Sequence, residues 1–268
     1  MKQYDAKKIL NIALAGHSGC GKTSVAESIL YLAKVSDRLG KIADGNTMLD
    51  FDSEEIKRQA SIMTAVAPIE WKNTKINLID TPGLFDFAGG VAEGMRAADT
   101  ALIVVSGKDG ISVGTEKAVE AATKAGLTKM FFVNGLCDED ARFYRVFETL
   151  KATFGPSVCP VVVPYMVDGV VDCYVNFLQN KAFKYDGIKA TEVEIPQDAH
   201  IEEIYNAFVE AVASADEELM MKFFDGEEFT HDEKVAGLSQ GVADGTVIPV
   251  YACSGFTGEA VDLLLNGI

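Results

Sequence analysis

Short apolar runs alternate with longer amphipathic ones along most of this chain. The apolar runs cover residues 9–15, 76–79, 101–105, 130–133, 160–163 and 247–251. Most are apolar at consecutive positions, as in strands covered on both faces. Helical periodicity falls between several of them, over 24–35, 113–125, 142–154 and 259–265. Strand and helix in alternation predict an α/β fold, a mostly parallel sheet with helices on both faces. Ligand is then expected at the carboxyl ends of the strands.

Two stretches break the alternation. Residues 36–64 are polar and rich in Gly and Asp, and predict a long loop, either functional or disordered. Residues 165–246 hold hairpin-like segments (168–173, 182–185, 192–195) and acidic amphipathic helices (201–214, 217–224, 232–241). The last strand and helix of the main pattern come only afterwards. The expected organisation is therefore a body formed by 1–164 and 247–268, with 165–246 as an inserted α+β subdomain. Met220, Met221, Phe223 and Phe224 form an apolar stripe there, and Tyr205, Phe208 and Val212 share a helical face. Both sets read as core.

The strongest chemical signal lies between the first strand and the first helix. Gly16-His17-Ser18-Gly19-Cys20-Gly21-Lys22-Thr23, followed by Ser24, fits G-x-x-x-x-G-K-[ST]. Phosphate oxygens need several N–H donors at close range. Glycines let the main chain curl so that its amides converge. Lys22 supplies charge for β- and γ-phosphates, and Thr23 a hydroxyl for Mg²⁺. A chance glycine-rich turn is the plainer alternative, and flanks and spacing weigh against it. Asp80-Thr81-Pro82-Gly83 ends a later strand. Its carboxylate suits a Mg²⁺-bound water, and the Gly83 amide suits a γ-phosphate.

Bulk properties add exclusions. Forty acidic against 24 basic residues give a net charge of −16, which argues against general or sequence-specific nucleic-acid binding. Ordinary solubility accounts for the charge. Cys20, Cys137, Cys159, Cys173 and Cys253 are scattered without zinc-like spacing and read as reduced thiols of a cytoplasmic protein. The opening residues do not resemble a signal peptide, and no run of ~18 apolar residues predicts a membrane span.

With these motifs the chain resembles the GTP-binding domain of translational GTPases, most closely elongation factor G and its paralogues. The likeness extends to Asp44-Gly45-Asn46-Thr47-Met48-Leu49-Asp50, Trp71, Asp86-Phe87, Phe132-Val133-Asn134, Glu217-Glu218-Leu219-Met220 with Gly226-Glu227, Pro249-Val250 and Ser254-Gly255-Phe256. It implies a P-loop NTPase fold that binds GTP or GDP with Mg²⁺ and hydrolyses GTP. By that resemblance, 16–24 hold phosphate and 36–64 are a first switch. Thr23, Ser61 and Asp80 would hold the metal. Lys22, Thr23 and Gly83 would serve catalysis. Asn134, Cys137, Asp138 and the backbone of Ser254, Gly255 and Phe256 would surround the base. The insertion is similar to the extra subdomain of elongation factor G, which implies a ribosomal-stalk partner and, with it, a monomeric cytoplasmic factor. The family's later domains are not among these residues, so an isolated or truncated first domain is expected.

Several positions depart from the family pattern. Leu84 stands where elongation factor G has a water-positioning His. His17 is a candidate substitute, although the family often has His there too. The base-reading Asn-Lys-x-Asp appears as Asn134-Gly135-Leu136-Cys137. Asp138 follows it and reads as a solvated acid at a helix start. Arg58-Gln59-Ala60-Ser61-Ile62 replaces Arg-Gly-Ile-Thr-Ile, and Gly19 stands where many relatives have Asp. Three functions stay open: a slow GTPase accelerated by ribosomes, a non-catalytic nucleotide-binding switch, and, far behind, a P-loop kinase or ATPase of another class.

Overall fold

A computed structural model describes residues 2–268. Its strands are β1 Ile9–Ala15, β2 Ala65–Trp71, β3 Thr74–Asp80, β4 Thr100–Ser106, β5 Thr128–Asn134, β6 Val158–Val167, β7 Val170–Asn176, β8 Lys181–Asp186, β9 Lys189–Val193 and β10 Ile248–Ala252. Its helices are α1 Lys22–Leu32, α2 Ser53–Arg58, α3 Ala88–Ala97, α4 Val113–Ala125, α5 Phe143–Phe154, α6 Ala199–Ala213, α7 Glu217–Phe224, α8 His231–Asp244 and α9 Val261–Gly267.

These ten strands form one sheet in the order β2-β3-β1-β4-β5-β10-β6-β7-β8-β9. The six central strands, β3 to β6 in that order, are parallel; β2 and β7–β9 run antiparallel at the two flanks. The expected α/β class is therefore observed. Leu14 lies level with Asp80 on one side and Leu102 on the other, and Ser106 level with Asn134. The carboxyl ends of β1, β3, β4, β5 and β10 thus open on one edge of the sheet. Ile12, Leu14, Ile29, Leu30, Phe131, Phe132, Phe143 and Phe147 are fully buried around the central strands.

Local chemistry explains the hairpins. Asp168 and Gly169 both take left-handed φ values (52° and 82°) and join β6 to β7, with Val167 paired to Val170. That is the two-residue turn whose twist suits antiparallel strands. The boundary expected at 164/165 falls inside β6, so the polypeptide passes from the parallel sheet into β7–β9 without leaving it. Side chains reinforce the join: Tyr185 Oη donates to Asp262 at 2.7 Å, and Tyr174 Oη to Glu259 at 3.3 Å.

The sequence pattern missed three elements. β2 contains Pro68 and buries only Ile69, so it lacks a continuous apolar run. Its place at the sheet edge tolerates both features. The α3 segment carries three glycines, poor helix formers, yet Gly90 packs on Thr64 and Pro82, and Gly94 on Thr81. Close packing holds that helix. The loop expected over 36–64 contains α2, started by a capping box in which Asp52 accepts Glu54 N–H at 2.8 Å and Glu55 accepts Asp52 N–H at 3.3 Å. The apolar stripe of α7 is also split. Met220 and Phe223 pack on the core, whereas Met221 and Phe224 are 61% and 77% exposed. Phe208 and Val212 are core as expected, and Tyr205 is half-buried against Phe208.

Candidate functional site

The glycine loop leaves β1 and enters α1 through Gly21, which sits at the helix start with φ 89°. A side chain at Gly16 (φ 144°) would overlap the Val104 carbonyl, and one at Gly21 would overlap the Asn134 amide. Gly19 (φ 83°) has open space where a side chain would be, so conformation alone favours glycine there. Lys22 Nζ folds back across the loop and donates to the carbonyls of Gly16 (3.2 Å) and His17 (3.0 Å). Gly83 docks on the same group: an added Cβ would lie 2.5 Å from Lys22 Nζ and 2.8 Å from the Ser18 backbone. The Asp80–Gly83 turn and the phosphate loop are therefore in contact.

Below them three segments meet at one hydroxyl. Thr23 Oγ1 donates to Asp80 Oδ2 at 2.7 Å and lies 3.1 Å from Ser61 Oγ. The other carboxylate oxygen, Asp80 Oδ1, is buried without a partner among the described residues. Two hydroxyls and an orphaned carboxylate oxygen are hard oxygen donors of the kind Mg²⁺ uses alongside phosphates. Among the described residues no three His, Cys, Asp or Glu side chains gather as a metal site, so an all-protein cage is not the arrangement here.

Burial pushes the Asp80 carboxyl up to about 7, against the opposing pull of Lys22 and Thr23. The folded chain then holds a proton that the unfolded chain has lost between pH 3.8 and about 7. Nucleotide-free stability is accordingly expected to fall as pH rises through that window, by at most about 1.4 kcal/mol per pH unit. Asp80→Asn is expected to flatten the slope. Denaturant midpoints collected from pH 4 to 8 check both; an unchanged slope in the variant would assign it to another group.

The 36–64 segment is tied down by buried carboxylates. Glu27 Oε1 accepts the amides of Met48 (2.7 Å) and Leu49 (3.1 Å). Glu55 Oε1 accepts those of Ile62 (2.9 Å) and Met63 (3.0 Å). Burial raises the pKa of Glu27 and of Asp50, whose Oδ2 also lacks a partner among the described residues. Gln59 takes φ 53° just after α2. Glycine adopts that conformation freely, whereas for other residues it costs roughly 1–2 kcal/mol.

Asn134 joins the phosphate loop to the far end of the site. Its Nδ2 donates to Cys20 O at 3.0 Å, and its Oδ1 accepts Gly255 N–H at 2.8 Å. Ser28 Oγ donates to Gly255 O at 2.5 Å. Asn134→Ala would strand a buried donor and a buried acceptor, with an expected loss of ~2–4 kcal/mol in chemical denaturation. A loss below ~1 kcal/mol would mean that the loops hold each other without it. Ser254 Oγ faces Cys137 Sγ at 3.5 Å, and the Phe256 ring lies over Gly21 and Gly135.

The loop residues, Thr23, Ser61, Asp80 and Gly83 are thus gathered at one end, and Asn134, Cys137, Ser254, Gly255 and Phe256 at the other. Ser24 is buried in the first turn of α1. Asp138 lines one cavity with Asn134, Cys137 and Phe256, and lies 3.6 Å from Lys108. His17 packs against Phe85, with ring centroids 5.8 Å apart, and its buried Nδ1 has no partner among the described residues. Leu84 lines a small cavity of about 160 Å³ with Pro82, Phe85, Val91 and Lys117. The anchoring roles of Glu27, Glu55 and Ser28 escaped sequence reasoning. Only Asp52-x-x-Glu55 carried a readable signal, the capping-box spacing.

The model of the elongation factor Tu GTP-binding domain family matches residues 7–268. The chain belongs to that family. A Thermotoga maritima relative called elongation factor G-like protein is 34% identical over 260 residues, which are 97% of this chain and 37% of that protein. A solved structure from Thermus thermophilus superposes with a TM-score of 0.90 at 32% identity, over 97% of this chain and 40% of that one. This elongation-factor GTP-binding domain therefore spans about two fifths of the length of the relatives it matches. Among its described residues no helix is long and apolar enough to cross a membrane.

Proposed function

We propose that this chain is the GTP-binding domain of an elongation factor G-like translational GTPase, binding GTP and GDP with Mg²⁺ and hydrolysing GTP. The observation that carries it is the convergence of Thr23, Ser61 and Asp80 beside Lys22, with Asp80 Oδ1 left without a partner among the described residues. Thr23 and Ser61 would hold Mg²⁺ through their hydroxyls, and Asp80 through a water. When bound, the metal supplies positive charge beside the β- and γ-phosphates. Lys22 adds a second positive charge to the same oxygens on releasing the carbonyls of Gly16 and His17. The amides of the glycine loop and of Gly83 donate to phosphate, so that Gly83 registers whether the γ-phosphate is present.

Residues 165–246 are assigned as an inserted subdomain on a GTPase body of 1–164 and 247–268. The exposed Met221 and Phe224 on α7 give that unit a face for ribosomal-stalk protein, in a cytoplasmic, monomeric factor. Single-turnover GTP hydrolysis with and without ribosomes tests the reading. Slow cleavage alone and faster cleavage on ribosomes are expected. A second reading, a nucleotide-binding switch without catalysis, draws on Leu84, whose side chain has no polar atom to orient water. Tight nucleotide binding with no cleavage in either condition would establish it instead.

A further inference from the structure

Residues just after β7, along α6 and around the start of α8 enclose a cavity of about 660 Å³. None of its lining residues belongs to the phosphate loop, the 36–64 segment or the 80–83 turn. Its wall is aromatic: Phe177 and Phe229 are buried, and the Tyr205 ring stands edge-on to Phe177 with centroids 5.5 Å apart. Into this wall α8 sets Lys234, which is only 7% exposed. A lysine this deep is almost always paired with a carboxylate, because an uncompensated charge is costly to remove from water. Lys181, Lys184 and Lys222 of the same region follow the usual pattern, each paired with an acid and well exposed. Lys234 makes no ion pair among the described residues. One of its three donors reaches Tyr205 Oη at 2.8 Å, a neutral acceptor. The other two face the cavity wall without a partner among the described residues.

The same cavity carries the opposite charge as well. Glu202 on α6 and Glu228 before α8 line it, are exposed, and make no ion pair among the described residues. A ligand that suits these features brings a carboxylate for Lys234, an apolar body for the three rings and a cation for the glutamates. A plain anion would meet the two glutamates in a chain whose net charge is already −16. A plain cation would meet the buried ammonium. An α-amino acid carries both charges on one carbon and projects its side chain beside them. An aromatic side chain adds ring-on-ring contacts with Phe177, Tyr205 and Phe229. The cavity is within the usual size range of small-molecule sites.

We propose that this cavity binds a free aromatic α-amino acid. Lys234 holds the carboxylate, the three rings hold the side chain, and Glu202 and Glu228 hold the ammonium group. The site is separate from the nucleotide-binding reading above and does not depend on what the phosphate loop holds.

The test is titration of the whole chain with L-phenylalanine, followed by amide NMR. Hydrocinnamate, which lacks the ammonium group, and phenethylamine, which lacks the carboxylate, are titrated alongside. Phenylalanine is expected to give saturable shifts around the cavity with a Kd of about 1 mM or tighter. Phenethylamine is expected to bind ~10-fold more weakly or worse, the loss of a charge-assisted contact. Hydrocinnamate is expected to lose about three-fold, as for a contact with exposed acids. Lys234→Met keeps the length of the side chain and is expected to weaken phenylalanine by ~10-fold or more. Should that variant unfold, Glu228→Gln at an exposed position serves instead, with an expected loss of about three-fold for phenylalanine and none for hydrocinnamate. No saturable shift up to ~10 mM overturns the proposal, as does phenethylamine or hydrocinnamate matching phenylalanine, or a folded Lys234→Met that binds as before.

Discussion

Leu84→His is expected to speed single-turnover GTP hydrolysis by ~10²–10⁴-fold, or about 3–5 kcal/mol of barrier. Gly83 packs against Lys22 and the Ser18 backbone. With the Gly83 amide on the γ-phosphate as proposed, a side chain one residue further along begins beside that phosphate. Leucine there lines a cavity with Phe85 and Val91 and has nothing to offer a water molecule. An imidazole both donates and accepts, and orienting the attacking water is a large share of what a phosphohydrolase supplies, since the phosphoryl group itself needs little covalent help. Rapid-quench measurement on the protein loaded with GTP checks the rate, with GDP affinity as a control that should not move. An unchanged rate at unchanged affinity would show that position 84 does not face the nucleophile.

The second large effect concerns Lys22. Lys22→Ala is expected to weaken GDP binding by ~10²–10³-fold, the loss of about two charge-assisted hydrogen bonds to phosphate. Without nucleotide the ammonium is nearly buried and directs its donors to the carbonyls of Gly16 and His17. Phosphate then replaces those carbonyls as the acceptor, and the lysine keeps its hydrogen bonds in either state. Calorimetry gives the affinity, and circular dichroism confirms the fold. A change of less than ~10-fold would mean that loop amides alone carry the phosphate.

What the sequence made legible follows from burial and backbone conformation. Strands such as β4 and β5 are apolar at nearly every position because helices cover both faces, and they were found within two residues of their true ends. The phosphate loop was legible because only glycine fits at positions 16 and 21. β2 and α3 were hidden because packing, rather than propensity, holds them. The meeting of Thr23 with Ser61 had no signal in spacing or periodicity and came only from the family resemblance, since the two lie 38 residues apart and approach through the folding of the intervening segment.

One consequence concerns the way β6 serves both halves of the sheet. Its first seven residues are fully buried, and its far side is covered by β7. Deleting the strands beyond it would bare a long apolar edge, and such edges recruit strands from other molecules. Light scattering of a chain shortened in this way would register the clumping. The last strand, β9, is short and exposes Lys189, Thr191 and Glu192, so the sheet ends in a charged hem that disfavours pairing with other chains.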